Sequence, residues 1–254
     1  MRKRGDSLPY NVSPWWDLLR IGSTDDALST LRDWYSSDRT ASAATELASV
    51  YLFLGQYESA LSHLDEFSHH YRVSIASITN AAGVAKWCLR QPSAAVACWN
   101  TALASQMADA AGGIHSPILL YFASVARPTT IRTADVEALL LTRLKKPVAH
   151  KYWPGPLAKL LLGQIQDDDL RRDLLVEKRA IKVPPTVTEQ VQREFYLGVR
   201  DLHLQKRRLY LQHMKIAAII SWEELDTSPI DFVRRVRALE FVLARFESQE
   251  EMEI

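Results

Sequence analysis

The sequence is poor in the residues that build turns, disulfides and metal sites. Its 254 residues include nine glycines and two cysteines, and Cys88 and Cys98 belong to no CxxC pair. Two separated cysteines do not make up a zinc site, and so low a number is typical of a reducing compartment. The scarcity of glycine argues against an architecture that depends on many β-turns.

Long apolar runs are also missing. No window of the sequence approaches the roughly 18 apolar residues that a membrane helix requires. The basic residues at positions 2–4 are followed by no apolar stretch, which a secretory signal would need. We therefore expect a cytoplasmic protein that does not enter a membrane.

The familiar motifs of catalysis are absent as well. The chain contains no GxxxxGK[ST], GxGxxG or GxSxG segment. His69 and His70 form the only adjacent histidine pair, and neighbours on a helix point in different directions. The acidic run Asp167–Asp169 suits the start of a helix, where the helix dipole favours negative charge. We predict no enzymatic activity, no metal and no cofactor.

Charge is distributed unevenly, although the net charge is only +1. Residues 1–142 carry a net −2, residues 143–245 a net +7, and the tail after Arg245 carries four glutamates. The basic runs Lys206–Arg208 and Arg234–Arg237 suggest contact with nucleic acid phosphates. Because no nucleic-acid-binding motif accompanies them, we favour a solvated helical surface. Nucleic-acid binding is kept as a third hypothesis.

The segment Ala44–Phe67 predicts two short helices joined by a tight turn. Small residues stand at Ala48 and Ala60, where two helices would cross closely, and Gly55 lies between them. Larger apolar residues occupy the remaining core positions of both helices. They are Leu47, Tyr51, Tyr57, Leu64 and Phe67.

This pattern recurs along the first half of the chain. Gly22 precedes Gly55 by 33 residues, and Ala27 precedes Ala60 by the same distance. Gly83 follows Ala48 by 35 residues, and a turn at 91–93 separates the helices of that third unit. An internal period near 34 indicates an array of stacked helix pairs, since one pair cannot bury its apolar face alone.

The period slips in the second half. A break at 111–113 is followed by apolar runs at 118–125 and 136–144, and a repeat-like pair returns at 193–217. In that pair Tyr210 stands where a small residue would be usual, so we expect its two helices to splay apart. An amphipathic helix from Ser228 to about Phe246 would cap the array. The predicted segments are a lead-in (1–13), helical repeats (14–110), degenerate helical repeats (111–227), and a capping helix with an acidic tail (228–254).

Residues 14–105 and 193–220 resemble tetratricopeptide repeats. The second half is also similar to the bacterial family called new lipoprotein I, through its tryptophan-rich short helix with Leu161–Gly163, its aspartate-rich helix and the run Phe195–Gly198. The resemblance implies an all-α superhelix of helix pairs and a protein-binding adaptor, with a homodimer as one form. The export signal and lipid-accepting cysteine of that lipoprotein family are absent here, so a periplasmic role is not implied.

In tetratricopeptide repeats one face of each first helix lines a concave groove, and we predict that this groove binds a protein or peptide partner. An aromatic residue there is a plausible anchor. Lysine and arginine, which clamp a carboxylate in the best-known members, are missing at the matching positions. The predicted partner-binding residues are Thr45, Glu46, Ser49, Phe53, Asn80, Val84 and Trp87.

Two further functional hypotheses remain beside the adaptor. A compact chain with no catalytic motif also suits an immunity-type protein that binds and neutralises a bacterial toxin. The other is the nucleic-acid-binding hypothesis based on the basic second half. A protein-binding scaffold is the hypothesis that the repeat pattern favours most.

Overall fold

The computed structural model describes residues 14–71, 75–105, 112–170, 187–219 and 238–250. All regular secondary structure within these ranges is helical, which confirms the predicted all-α fold class. The helices pack against their sequence neighbours in a repeat-like arrangement. Within the described part of the chain, every helix is too short or too polar to span a bilayer.

The first half consists of three successive helix pairs, and their bounds lie close to those that the sequence predicts. Pro92 begins the last of these helices, where its missing N–H costs nothing. The helices are α1 Pro14–Arg20, α2 Thr24–Ser37, α3 Ala41–Phe53, α4 Tyr57–Tyr71, α5 Ala76–Cys88 and α6 Pro92–Leu103.

The second half contains the predicted pair around residues 118–144 and the repeat-like pair near residue 200. The aspartate-rich helix is seen at residues 167–170, and its predicted continuation to Leu175 lies outside the described residues. So do the lead-in and the predicted start of the capping helix. The helices are α7 His115–Ala126, α8 Thr133–Leu144, α9 Pro147–Lys151, α10 Gly155–Leu161, α11 Val187–His203, α12 Arg207–Ile219 and α13 Leu239–Glu250.

One turn geometry recurs at the ends of five helices. In each case a residue with positive φ donates its N–H to the carbonyl three residues earlier, and the next residue donates to the carbonyl five residues before it. This Schellman motif satisfies the last carbonyls of a helix. The residues with positive φ are Gly22, Gly55, Arg90, Gly163 and Gln205.

The small residues predicted at helix crossings do allow close approach. A Cβ atom on Gly83 would lie 2.3 Å from Nε1 of Trp99, and one on Gly198 would lie 2.6 Å from Cε of Met214. The expected splaying of α11 from α12 is therefore wrong. Tyr210 does not wedge the pair apart because its side chain turns towards α13, where its hydroxyl finds a hydrogen-bond acceptor.

The terminal helix α13 does more than cover the last pair. It packs against α11 and α12, as expected of a cap, and it also packs against α5 and α3 in the first half. Its apolar residues from Phe241 to Ala244 are buried. The helix therefore joins the two halves of the array instead of closing one end only.

The turn at Gln205 provides a test of the recurring geometry. Gln205 is exposed and holds φ at +61°, a region that costs a non-glycine residue about 1 kcal/mol or more. We expect Gln205→Gly to raise the free energy of unfolding by about 0.5–1 kcal/mol, measured by urea denaturation. Gln212→Gly, at an exposed site inside α12, should lower it by about 1 kcal/mol. A lower free energy of unfolding for Gln205→Gly than for the wild type would contradict the assignment of strain to Gln205.

Candidate functional site

The residues predicted to bind a partner lie together on one face of α3 and α5, which we call the inner face. Six of them are buried, namely Glu46, Ser49, Phe53, Asn80, Val84 and Trp87, while Thr45 is half-buried. That they act in partner binding stays a prediction. The structure shows instead what covers them, which the sequence did not reveal.

The chain's own helix α13 occupies part of the inner face. The ring of Phe241 stacks on Phe53 with centroids 5.7 Å apart and planes 22° from parallel. Further along α13, Phe246 lines a small cavity together with Trp87. Phe53 is therefore covered by an aromatic ring of α13, while Trp87 shares a cavity with Phe246.

Polar groups of the inner face are satisfied within the chain. The Asn80 side-chain carbonyl accepts a hydrogen bond of 3.0 Å from the hydroxyl of Ser116 on α7. The hydroxyls of Thr45 and Ser49 donate to the backbone carbonyls four residues before each of them. The side-chain carbonyl of Asn80 and the hydroxyls of Thr45 and Ser49 are therefore engaged within the chain.

The first of two buried carboxylates on α13 is that of Glu247. Its Oε1 accepts a 2.9 Å hydrogen bond from Nε1 of Trp87, and its Oε2 accepts a 2.8 Å bond from the hydroxyl of Tyr210. Burial, and then the negative charge of Glu247, hold the pKa of Tyr210 well above its ordinary value. Tyr210 consequently remains a neutral donor, and α5 and α12 both hold the same carboxylate.

The second carboxylate is that of Glu240, which is fully buried. Its Oε1 accepts from Nε2 of His115 at 2.8 Å and from the hydroxyl of Tyr196 at 3.2 Å. Burial alone would raise the pKa of Glu240, but the attraction and hydrogen bond of His115 help to lower it below its ordinary value. Burial, with Glu240 next in importance, raises the pKa of Tyr196. The carboxylate is thus charged and the tyrosine neutral.

The two carboxylates are seven residues apart, so they lie on one side of α13, about 10 Å apart along its axis. The donors come from four different helices, α5, α7, α11 and α12. We call this set of two carboxylates and four donors the carboxylate clamp. Its geometry fixes the register of α13 against these four helices.

Sequence reasoning did not identify the clamp. It treated Tyr210 only as a departure from the repeat, and it assigned no role to His115 or Tyr196. A usable signal was present, because Glu240 and Glu247 interrupt the apolar face of LEFVLARFE at positions that face the core. Acidic residues at such positions need donors, and the donors lie far away in the sequence.

The remaining sequence candidates lie elsewhere. Lys206, Arg207 and Arg208 are exposed at the turn into α12, with Nζ of Lys206 3.8 Å from Asp201, while the basic residues at 234–237 lie outside the described residues. Asp167 forms a two-pronged ion pair with Arg193, a structural role for one member of the aspartate run. Among the described residues no group of three or more His, Cys, Asp or Glu side chains could hold a metal ion.

Glu247 gives a direct test of the clamp. Glu247→Ala would leave the buried donors of Trp87 and Tyr210 without their acceptor, which we expect to cost about 2–4 kcal/mol of unfolding free energy in urea. Glu58→Ala, at an exposed glutamate of α4, is the matched control and should change stability by less than about 0.5 kcal/mol. Equal effects of the two substitutions would show that the clamp contributes nothing.

The pH dependence of stability tests the other carboxylate. Because folding lowers the pKa of Glu240, its stabilising effect is complete above its ordinary pKa of 4.5 and is lost as the pH falls through the lower value of the folded state. The difference in unfolding free energy between the wild type and Glu240→Gln should therefore shrink as the pH falls below 4.5. A difference that stays constant through the acid range would contradict this account. Urea denaturation of both proteins at a series of pH values measures the difference.

Comparison of the chain with models of protein families, with curated proteins and with solved structures finds no match. The resemblance to tetratricopeptide repeats therefore rests on the residue spacing and on the helix pairs described above. What the inner face does follows from its geometry.

Proposed function

We propose that this chain is a cytoplasmic, non-enzymatic protein-binding scaffold built of tetratricopeptide-like helix pairs. Its ligand would be an amphipathic helix bound on the inner face. The observation that carries this proposal is α13 itself, a helix whose residues 239–244 are buried and which is seated on that face by the stacking of Phe241 on Phe53 and by the carboxylate clamp. Helix recognition in a groove is a common mode of peptide binding.

The chemistry of the clamp describes the partner. Trp87, Tyr196, Tyr210 and His115 present N–H and O–H donors, which suit carboxylates. A partner helix would therefore carry two acidic residues seven positions apart. An aromatic residue beside the first of them would meet Phe53, as Phe241 does in α13. This combination distinguishes the proposed ligand from a generic apolar helix.

A partner helix would have to compete with α13. Because α13 occupies the face, the apparent affinity for an external ligand equals the intrinsic affinity multiplied by the fraction of molecules in which the face is open. A tethered helix acts at an effective concentration in the millimolar range, so a weak partner would not displace it. A second copy of the chain carries a suitable helix, and exchange of α13 between copies would give a homodimer.

Competition with a peptide tests the proposal on the full chain. The probe is a fluorescein-labelled peptide of residues 238–250, and the readout is fluorescence anisotropy. In Glu247→Ala the internal helix is weakened by about 2–3 kcal/mol, so the peptide should half-saturate the protein at roughly 10–50 μM. The wild type should require peptide in the millimolar range, and Glu58→Ala should behave like the wild type.

A second peptide with glutamine at positions 240 and 247 serves as the matched ligand control. It should bind Glu247→Ala at least tenfold more weakly than the unmodified peptide, because it lacks both carboxylates. Circular dichroism establishes whether each variant is folded. If a folded Glu247→Ala chain binds neither peptide, α13 is a permanent part of the core and the proposed helix-binding function is refuted. Sedimentation equilibrium of the same variant measures exchange between copies.

A further inference from the structure

A second candidate site lies away from the inner face, in a cavity of about 530 Å³ between α8, α10 and the C-terminal end of α11. A volume of this size suits a small ligand or a few side chains of a peptide. Its walls combine the ends of three helices with the segment after α10. The residues on which the argument depends are Glu137, Leu141, Gln164, Arg200, Leu204 and Lys206.

Arg200 is the unusual member of this lining. Its Nε atom is shielded from solvent and has no hydrogen-bond partner in the part of the chain that the structure describes. A buried guanidinium nitrogen without an acceptor is unfavourable, and such groups are rare in folded proteins. Arg200 also lines the cavity, where its guanidinium group would pair with a bound anion, and guanidinium groups bind carboxylates with good geometry.

The neighbouring charges limit the ligand to one negative charge. Lys206 also lines the cavity, but its ammonium group lies 3.8 Å from Asp201 and is partly neutralised. Glu137 contributes a carboxylate to the same lining, and it would repel a second negative group. A polyanion such as a nucleic acid backbone is therefore a poor match for this cavity.

Two exposed leucine side chains belong to the lining of the cavity. Leu141 and Leu204 line it while 47% and 51% of their surfaces remain exposed, which is high for leucine. A ligand that buried both side chains would gain hydrophobic free energy in addition to the pairing with Arg200. The cavity lining thus combines the guanidinium group of Arg200 with exposed leucine side chains.

We propose that this cavity binds a monocarboxylate that carries a branched aliphatic group, with the carboxylate paired to Arg200 and the aliphatic group against Leu141 and Leu204. A free aliphatic acid and the C-terminus of a peptide ending in leucine share this chemistry. The side-chain amides of Gln164 and Gln166 line the same cavity and would hydrogen-bond the last peptide group in the second case. This site does not depend on the helix-binding function of the inner face.

The experiment is an NMR titration of the full-length chain labelled with ¹⁵N. The probes are 4-methylpentanoate, N-acetyl-L-leucine and the neutral N-acetyl-L-leucinamide. Both acids should shift the amide signals of the cavity residues with dissociation constants in the low millimolar range, and the amide should bind at least tenfold more weakly. Tighter binding of N-acetyl-L-leucine identifies a peptide C-terminus as the ligand, whereas equal binding identifies a free acid. Equal binding of the acid and the amide, or no binding of either acid, would overturn the proposal.

Variants of Arg200 complete the test. Arg200→Met should weaken binding of both acids at least tenfold, and Arg200→Lys should retain part of the affinity. Arg20→Met removes a positive charge from the exposed surface of α1 and should leave binding unchanged. Because Arg200 has no acceptor for Nε, Arg200→Met should unfold at the same or a higher urea concentration than the wild type. A marked loss of stability, or undiminished binding by either Arg200 variant, would contradict the proposed role of Arg200.

Discussion

The structure depends on two carboxylates that are buried on one side of its last helix. Glu240 and Glu247 keep little or no contact with solvent, and a buried charge is strongly unfavourable unless hydrogen bonds compensate for it. The compensating donors come from α5, α7, α11 and α12, so they can meet only when both halves of the array are folded together. A shift of α13 by one residue would break all of these bonds. The clamp therefore fixes both the register of α13 and the position of the two halves against it.

The same constraint connects stability with binding. Under the proposed function, a clamp of N–H and O–H donors would select helices with paired acidic residues, and the helix seated in it here is tethered to the same chain. Tethering favours the form in which α13 occupies the inner face, since the internal helix never has to be captured from solution. A scaffold of this kind would discriminate strictly among partners, because only a helix that reproduces both carboxylates could replace α13.

The sequence predicts the helix pairs well and the clamp poorly, for a physical reason. The small residues Ala48 and Gly83 and the turn at Gly55 act on neighbours within about 35 residues, so spacing alone reveals them. The bond from Trp87 to Glu247 joins residues 160 positions apart, and no local period encodes it. The positive φ of Gln205 has no local signal either, since glutamine gives no sign that it will adopt a conformation usually left to glycine. Phe53 and Trp87 were predicted on one face, but the helix that covers them could not be.

Among the described residues, the buried side-chain atoms without a hydrogen-bond partner are Nε of Arg200, Oε2 of Glu240 and Nε1 of Trp15. In the clamp, each of the four donors has found a carboxylate, although doing so required contacts across the whole fold. Arg200 lies at the end of α11, close to residues that could have supplied an acceptor, and Glu137 lines the same cavity. Its Nε nevertheless has no partner among the described residues. Of the three unpartnered atoms, that of Arg200 is the one whose residue lines this cavity, so its guanidinium group is the natural partner of an anion bound there.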